Sequence, residues 1–170
     1  METFIIKECV SMEFRLGTLS DLLQIKQTYK QIIRKMKSQG LNIWDDIYPL
    51  EFFKEDLVNQ RLYVLVDKQV IVAAFSLNNK HHGQNKVVWN ENTKRVLYLD
   101  RLGVNINYAN MGIGSLMLEK AKELAEENKM EYLRLFVVTD NYPAIKLYQK
   151  NGFIKAIGIY HEKIDDMMIL

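Results

Sequence analysis

The chain has 170 residues, a formal net charge of +2, 48% hydrophobic residues and 26% charged residues. That length suits one domain, and the apolar share excludes disorder over most of the chain, because there is enough to bury. A near-neutral sum without a basic block sets aside a dedicated nucleic-acid binder, and 8 Gly with 2 Pro set aside collagen-like or proline-rich architecture. The single cysteine, Cys9, can form neither an intrachain disulfide nor a CxxC metal knuckle. Apolar runs at 62–66 and 70–75 are too short to span a bilayer. Residues 1–9 lack the regions of a secretory signal. A cytoplasmic protein is expected, and residues 1–11 carry no pattern.

In chain order, residues 12–16 alternate as a first strand. Thr18 and Asp21 then have capping-box spacing. Leu22, Ile25, Tyr29, Ile32, Ile33 and Met36 recur at helical steps, and Gly40 is the expected stop. An aromatic loop covers 42–49. Pro49 suits the start of a second helix, with Leu50, Phe53 and Leu57 on one face. Runs 62–66 and 70–77 read as a hairpin. The polar stretch 78–94 is long enough to be functional or mobile. Residues 95–104 are the strongest strand, and a loop leads into a helix ending near 129. A strand at 132–138, a turn at 141–143, a helix at 144–150 and closing strands at 153–160 and 167–170 complete an α/β domain.

Two segments carry candidate chemistry. In the first, a strand runs into Asn110-Met111-Gly112-Ile113-Gly114-Ser115 and then a helix. Glycines there permit a tight turn and close approach of the backbone. The helix's free N–H groups suit a phosphate or pyrophosphate. The plain alternative is a tight strand-to-helix connection. A P-loop is excluded because Gly-Lys-Ser/Thr is missing, and Met117 stands where a dinucleotide fingerprint has its third glycine. The second segment runs from Asn141 to Phe153. Asn141 reads either as a helix cap or as a ligand contact. It can share a helix face with Tyr148; a half-buried packing tyrosine is the alternative there.

Together these segments resemble the GCN5-related N-acetyltransferase family. Residues 96–104, the loop and Gly112-Ile113-Gly114 look like its acetyl-CoA motif. The Asn141-x-Pro143-Ala144-x-x-Leu147-Tyr148-x-x-x-Gly152-Phe153 pattern looks like the motif that follows. Trp44 through Pro49 resembles a Trp-x-x-x-Tyr-Pro loop of a bacterial subgroup. Ala109 departs from the family's Gln/Arg, a long side chain that supports the pyrophosphate loop.

The resemblance implies one domain over 12–170. Its sheet is central, mixed and mostly antiparallel, flanked by helices and splayed at the acetyl-CoA site. The cofactor set is Leu102, Gly103, Val104, Ala109, Asn110, Met111, Gly112, Ile113, Gly114, Ser115, Asn141, Ala144 and Tyr148. Tyr148 would protonate the leaving CoA thiolate, and a backbone N–H of the splayed strand would polarise the carbonyl. Asp100, placed by period two on the face of Leu102 and Val104, is the candidate base; a salt bridge is its alternative. Trp44 and Tyr48 would line the acceptor pocket or anchor the loop.

The implied activity is direct acetyl transfer from acetyl-CoA to a primary amine, on a small molecule or peptide. The alternatives are a non-catalytic acyl-CoA-binding module and a transferase for another acyl group. No metal, nucleic acid or membrane is expected, and the state is monomer or homodimer. His81 and His82 read as a solvated turn rather than a zinc site. Met111 and Met117 read as packing residues, and Cys9 as inert.

Overall fold

In the computed structural model, residues 12–159 and 161 are described. The expected extension at 1–11, with Cys9, and the expected strand at 167–170 lie outside them. The order is β1 (Glu13–Leu16), α1 (Leu22–Ser38), α2 (Phe53–Val58), β2 (Leu62–Asp67), β3 (Val70–Asn78), β4 (Val96–Val104), α3 (Ile113–Glu127), β5 (Tyr132–Leu135) and α4 (Tyr142–Lys150). The strands form one mixed sheet in the order β1-β2-β3-β4-β5. Pairing is antiparallel from β1 to β3 and parallel between β4 and β5. The fold class expected from the sequence, α/β on a mostly antiparallel sheet, is therefore correct.

The chain divides into two compact units. The first holds the described residues up to Ser76 together with Arg101–Met117. Its entry turn is set by Asp21, whose carboxylate accepts the Thr18 N–H at 2.8 Å and both terminal nitrogens of Arg15 at 2.8 Å. Helix α1 follows, and Gly40 stops it at φ +78. The expected apolar stripe is the buried one. Ile25, Tyr29, Ile32 and Ile33 enter a core with Leu50, Phe53, Leu57, Leu62, Val64, Ile71 and Ala74, and Leu22 and Met36 pack on its margin. Full burial of one large apolar side chain contributes roughly 1.5–3 kcal/mol. On the sheet, Phe14, Tyr63 and Phe75 cluster with ring centroids 5.7–5.9 Å apart.

Helix α2 starts at Phe53 rather than at Pro49. The Asp45 carboxylate accepts the N–H groups of Ile47 and Tyr48 at 2.7 Å each, and the Asp45 N–H donates to the Tyr48 carbonyl. That side chain commits the stretch to turns before a helix can start.

The second unit holds Leu77–Asp100 and the described residues from Leu118 onward. Val96, Leu97, Tyr98 and Leu99 are buried and pair in register with Tyr132 to Leu135. The fifth strand is shorter than the expected 132–138, because Phe136 leaves the ladder to stack on His81 at 4.1 Å. Residues 153–160 form no strand within the described part. A single bridge joins Val88 and Ile157, the adjacent Gly158 turns to φ +102, and Ile154, Ile157 and Ile159 are exposed.

Candidate functional site

The turn onto α3 belongs to the first unit. A short 3-10 turn, Ile106–Tyr108, is capped by Asn105, whose side chain accepts the Asn107 N–H at 3.0 Å. Ala109 is then extended and exposed. Asn110 and Gly112 both adopt left-handed backbone, at φ +60 and +76. Alternation of right- and left-handed residues points successive N–H groups into one concavity, an arrangement suited to anions. A Cβ built on Gly112 meets nothing within 4 Å. The space in front of the turn is therefore open, as a cradle for a phosphate group requires. A helix start offers N–H groups that the helix's own carbonyls do not take, and α3 begins here. Ile113 is buried and anchors the helix start, while Gly114 and Ser115 are half-buried. Met117 is a packing residue, as expected, but Met111 is 60% exposed and is not.

The second feature of this unit is a break in β4. Arg101 lies mid-strand at φ +56. Regular extended geometry is interrupted there. The Arg101 side chain, 8% exposed, turns to Asp56, which is wholly buried. Asp56 also accepts from Ser76 at 2.6 Å and from Arg61 at 2.8 Å. Two cations and a hydroxyl thus satisfy one buried carboxylate, as its burial demands. The Arg101 guanidinium lies 5.4 Å from the Phe52 ring centroid. Leu102 and Val104 are half-buried. Gly103 is packed so closely on Tyr29 that a Cβ would lie 2.7 Å from its ring.

In the loop before α2, Trp44 stacks on Tyr29 at 5.5 Å and packs against the core. Tyr48 is more open, with its ring edge-on to Phe52 at 5.4 Å. Of the two aromatics expected at an acceptor pocket, Trp44 has one face committed to anchoring the loop.

The second unit carries the remaining candidates. Asn141 caps α4, its Oδ1 accepting the Ala144 N–H at 3.3 Å. Tyr148 is half-buried on that helix, 5.8 Å from Phe153, and Ala144 is half-buried as well. Asp100 accepts a hydrogen bond from the Asn78 amide at 2.5 Å. His81 is not merely a solvated turn. Its ring lies between those of His82, at 4.3 Å, and Phe136, at 4.1 Å, and its Nδ1 accepts the Gly83 N–H. Trp89 packs edge-on to Phe136, and the Arg134 guanidinium lies 4.2 Å over the Trp89 ring and donates to the Glu91 carbonyl. These contacts pin the long polar stretch after β3. Among the described residues, no group of three His, Cys, Asp or Glu could hold a metal ion. No helix there is long and apolar enough to cross a membrane.

The profile of the Acetyltransferase (GNAT) family matches residues 22–153. This chain belongs to the GNAT acetyltransferase family. An N-alpha-acetyltransferase of Sulfolobus acidocaldarius is 27% identical over 169 residues, spanning 96% of this chain and 94% of that protein. The Bacillus subtilis protein YxbD is 30% identical over 76 residues, so this chain's match spans only 45% of that relative's length and 45% of its own. A GNAT acetyltransferase of Streptococcus agalactiae 2603 superposes with a TM-score of 0.76 at 17% identity, over 86% of this chain and 87% of that one. The aminoglycoside N-acetyltransferase AAC(6')-Iy, solved in complex with CoA, superposes with a TM-score of 0.69 at 13% identity, over 94% and 98%. These two likenesses carry the fold.

All the expected site residues of this GNAT chain, from Trp44 to Tyr148, fall inside the matched span. Sequence reasoning missed the group formed by Tyr29, Asp56, Ser76 and Arg101. One signal was available. Asp56 lies between Phe53 and Leu57 on the apolar face expected of α2, and an acid buried there needs cationic partners.

Proposed function

We propose that this chain is an acetyl-CoA-dependent N-acetyltransferase that transfers the acetyl group directly to a primary amine. The observation that carries this reading is the turn from Asn110 to Ser115. It has two left-handed residues and open space before Gly112, at the start of α3. That chemistry fits the pyrophosphate of CoA, and the GNAT relative solved with CoA supports it. Ala109 lacks the long polar side chain of the family pattern, so the backbone amides carry the anion.

Acetyl-CoA supplies an activated thioester. Backbone groups of Leu102, Gly103 and Val104 hold its extended arm and offer an N–H to the carbonyl oxygen, where negative charge develops. In the second unit the Tyr148 hydroxyl supplies the proton that the departing thiolate needs. Asn141 and Ala144 hold the start of the helix that carries it. Asp100, with one oxygen on Asn78, takes the proton that the amine must lose, directly or through water. Tyr48 and Trp44 bind the acceptor. The 27% identity with an N-alpha-acetyltransferase over nearly the whole chain favours an amine at a peptide N-terminus.

The test is thiol release from acetyl-CoA against a panel of peptides with free N-termini and of small amines. Turnover with at least one acceptor, together with calorimetric binding of acetyl-CoA, supports the reading. Binding without turnover on any amine would leave a non-catalytic acyl-CoA module, and absence of both would overturn it.

A further inference from the structure

Tyr29 is fully buried in the middle of α1. Its hydroxyl oxygen lies 2.6 Å from the Arg101 carbonyl oxygen and 2.9 Å from that of Ala74. Gly103 packs on the same hydroxyl so closely that a Cβ there would lie 2.8 Å from its oxygen. The phenol therefore takes backbone carbonyls of both β4 and β3. A strand ordinarily gives such groups to a neighbouring strand. Here a side chain takes them, at the place where Arg101 stands at φ +56. Left-handed backbone at a residue other than glycine persists only where its surroundings over-determine it. Two anchors do so: Asp56 holds the Arg101 side chain, and Tyr29 holds its carbonyl.

The ring is itself held, edge-on by Phe53 at 4.5 Å and stacked by Trp44 at 5.5 Å. Burial raises its pKa well above the usual phenol value, so the hydroxyl keeps its proton and donates. N–H groups alternate between the two edges of an extended strand. With the Asn105 N–H on the Val72 carbonyl of β3, those of Leu102 and Val104 face the opposite edge.

We infer that Tyr29 is a positioning residue for acyl transfer, whose hydroxyl fixes the break in β4 and so aims the Leu102 and Val104 backbone at the thioester arm of acetyl-CoA. This rests on the acetyl-CoA reading above. Tyr29 touches no reacting atom; it acts through the strand.

Tyr29→Phe removes the hydroxyl and keeps the ring, and Ile33→Val is the control, loosening the same core one turn further along α1. Misaimed backbone lowers kcat, roughly 10- to 100-fold for displacements near 1 Å. Tyr29→Phe is expected to lose kcat on that scale with the amine KM unchanged, while Ile33→Val lowers the melting temperature and keeps kcat. A kcat for Tyr29→Phe within about twofold of wild type, or an equal loss in both variants, overturns the inference. Hydrogen exchange reads the strand without any activity. The Gly103 amide should lose protection in Tyr29→Phe while the Val72 amide of β3 keeps it, and unchanged protection at Gly103 overturns the inference. Wild-type protein that neither binds acetyl-CoA nor releases thiol overturns the parent reading and the positioning role together. Gly103 exchange would then still report whether Tyr29 holds the strand.

Discussion

The Asp56 carboxylate, buried from solvent on the short helix α2, receives Arg101 from the middle of β4 through Nε at 2.9 Å and Nη2 at 2.6 Å. A residue 45 positions away along the chain is thereby fixed at the one point where β4 leaves regular extended geometry. Removing one member of a buried ion pair leaves the other charge uncompensated, which costs about 3–5 kcal/mol. Asp56→Ala strands both Arg101 and the Ser76 hydroxyl. Urea unfolding should show a loss of that size with an unchanged denaturant slope, against Glu55→Ala as the surface control. A loss below about 1 kcal/mol, the size of an exposed pair, would mean that water replaces the carboxylate.

Gly112 tests the anion turn. At φ +76 with open space around its missing Cβ, a side chain meets no neighbour but is strained in its own backbone. Left-handed geometry costs an L-residue roughly 1–2 kcal/mol, more for a β-branched one. Gly112→Val should therefore fold with a lowered melting temperature and place its methyl groups where a pyrophosphate approaches. Calorimetry should find acetyl-CoA affinity reduced at least tenfold, about 1.4 kcal/mol. Unchanged affinity would locate the anion elsewhere.

Much of this was legible because local rules governed it. The apolar steps of α1, the Asp21 cap, the hairpin and the Asn110–Ser115 turn each follow from residues close in sequence. Pro49 misled because Asp45 had already spent its carboxylate on the N–H groups of Ile47 and Tyr48. The break at Arg101 was illegible. It needs Asp56, Ser76 and Tyr29, which no periodicity links to β4. The segment after Gly152 reads as a strand by composition, but one bridge to Val88 is the pairing found for it among the described residues.

Acid sensitivity should trace in part to Asp21. Its hydrogen bonds from Arg15 come first among the causes that lower its pKa to about 2, from 3.8. A folded pKa below the unfolded one means stability that is complete above about pH 4 and lost as pH falls toward 2. Arg15 is partly exposed, so screening reduces the contribution to the order of 1 kcal/mol. Asp21→Asn should lower stability at pH 6 and flatten its fall between pH 4 and pH 2. A slope identical to wild type in urea titrations over that range would show that Asp21 is not responsible.

Tyr148→Phe isolates the proton donor proposed for the thiolate. The ring and its 5.8 Å contact with Phe153 remain, so folding should be unaffected. General acid catalysis contributes on the order of 10²–10⁴-fold, and kcat should fall within that range while the dissociation constant for acetyl-CoA stays the same. The loss should be largest with acetyl-CoA and smaller with an activated thioester whose leaving group has a lower pKa. Equal kcat at several pH values would leave Tyr148 as a packing residue.

The two aromatics of the loop before α2 should separate by what each touches. Trp44 stacks on Tyr29 and lies against the core, whereas Tyr48 is 37% exposed and meets Phe52 edge-on. An open ring can cover the apolar part of an acceptor or attract its cation, worth roughly 0.5–1 kcal/mol at an exposed site. Tyr48→Ala should accordingly raise the amine KM a few-fold, with acetyl-CoA affinity and melting temperature nearly unchanged. Trp44→Ala should also lower the melting temperature, because truncating a packed indole leaves a cavity beneath the loop. If Tyr48→Ala instead weakens acetyl-CoA binding and leaves the amine KM unaltered, the loop belongs to the cofactor side. If Trp44→Ala alone moves the amine KM, the acceptor rests on the indole and Tyr48 only shields Phe52.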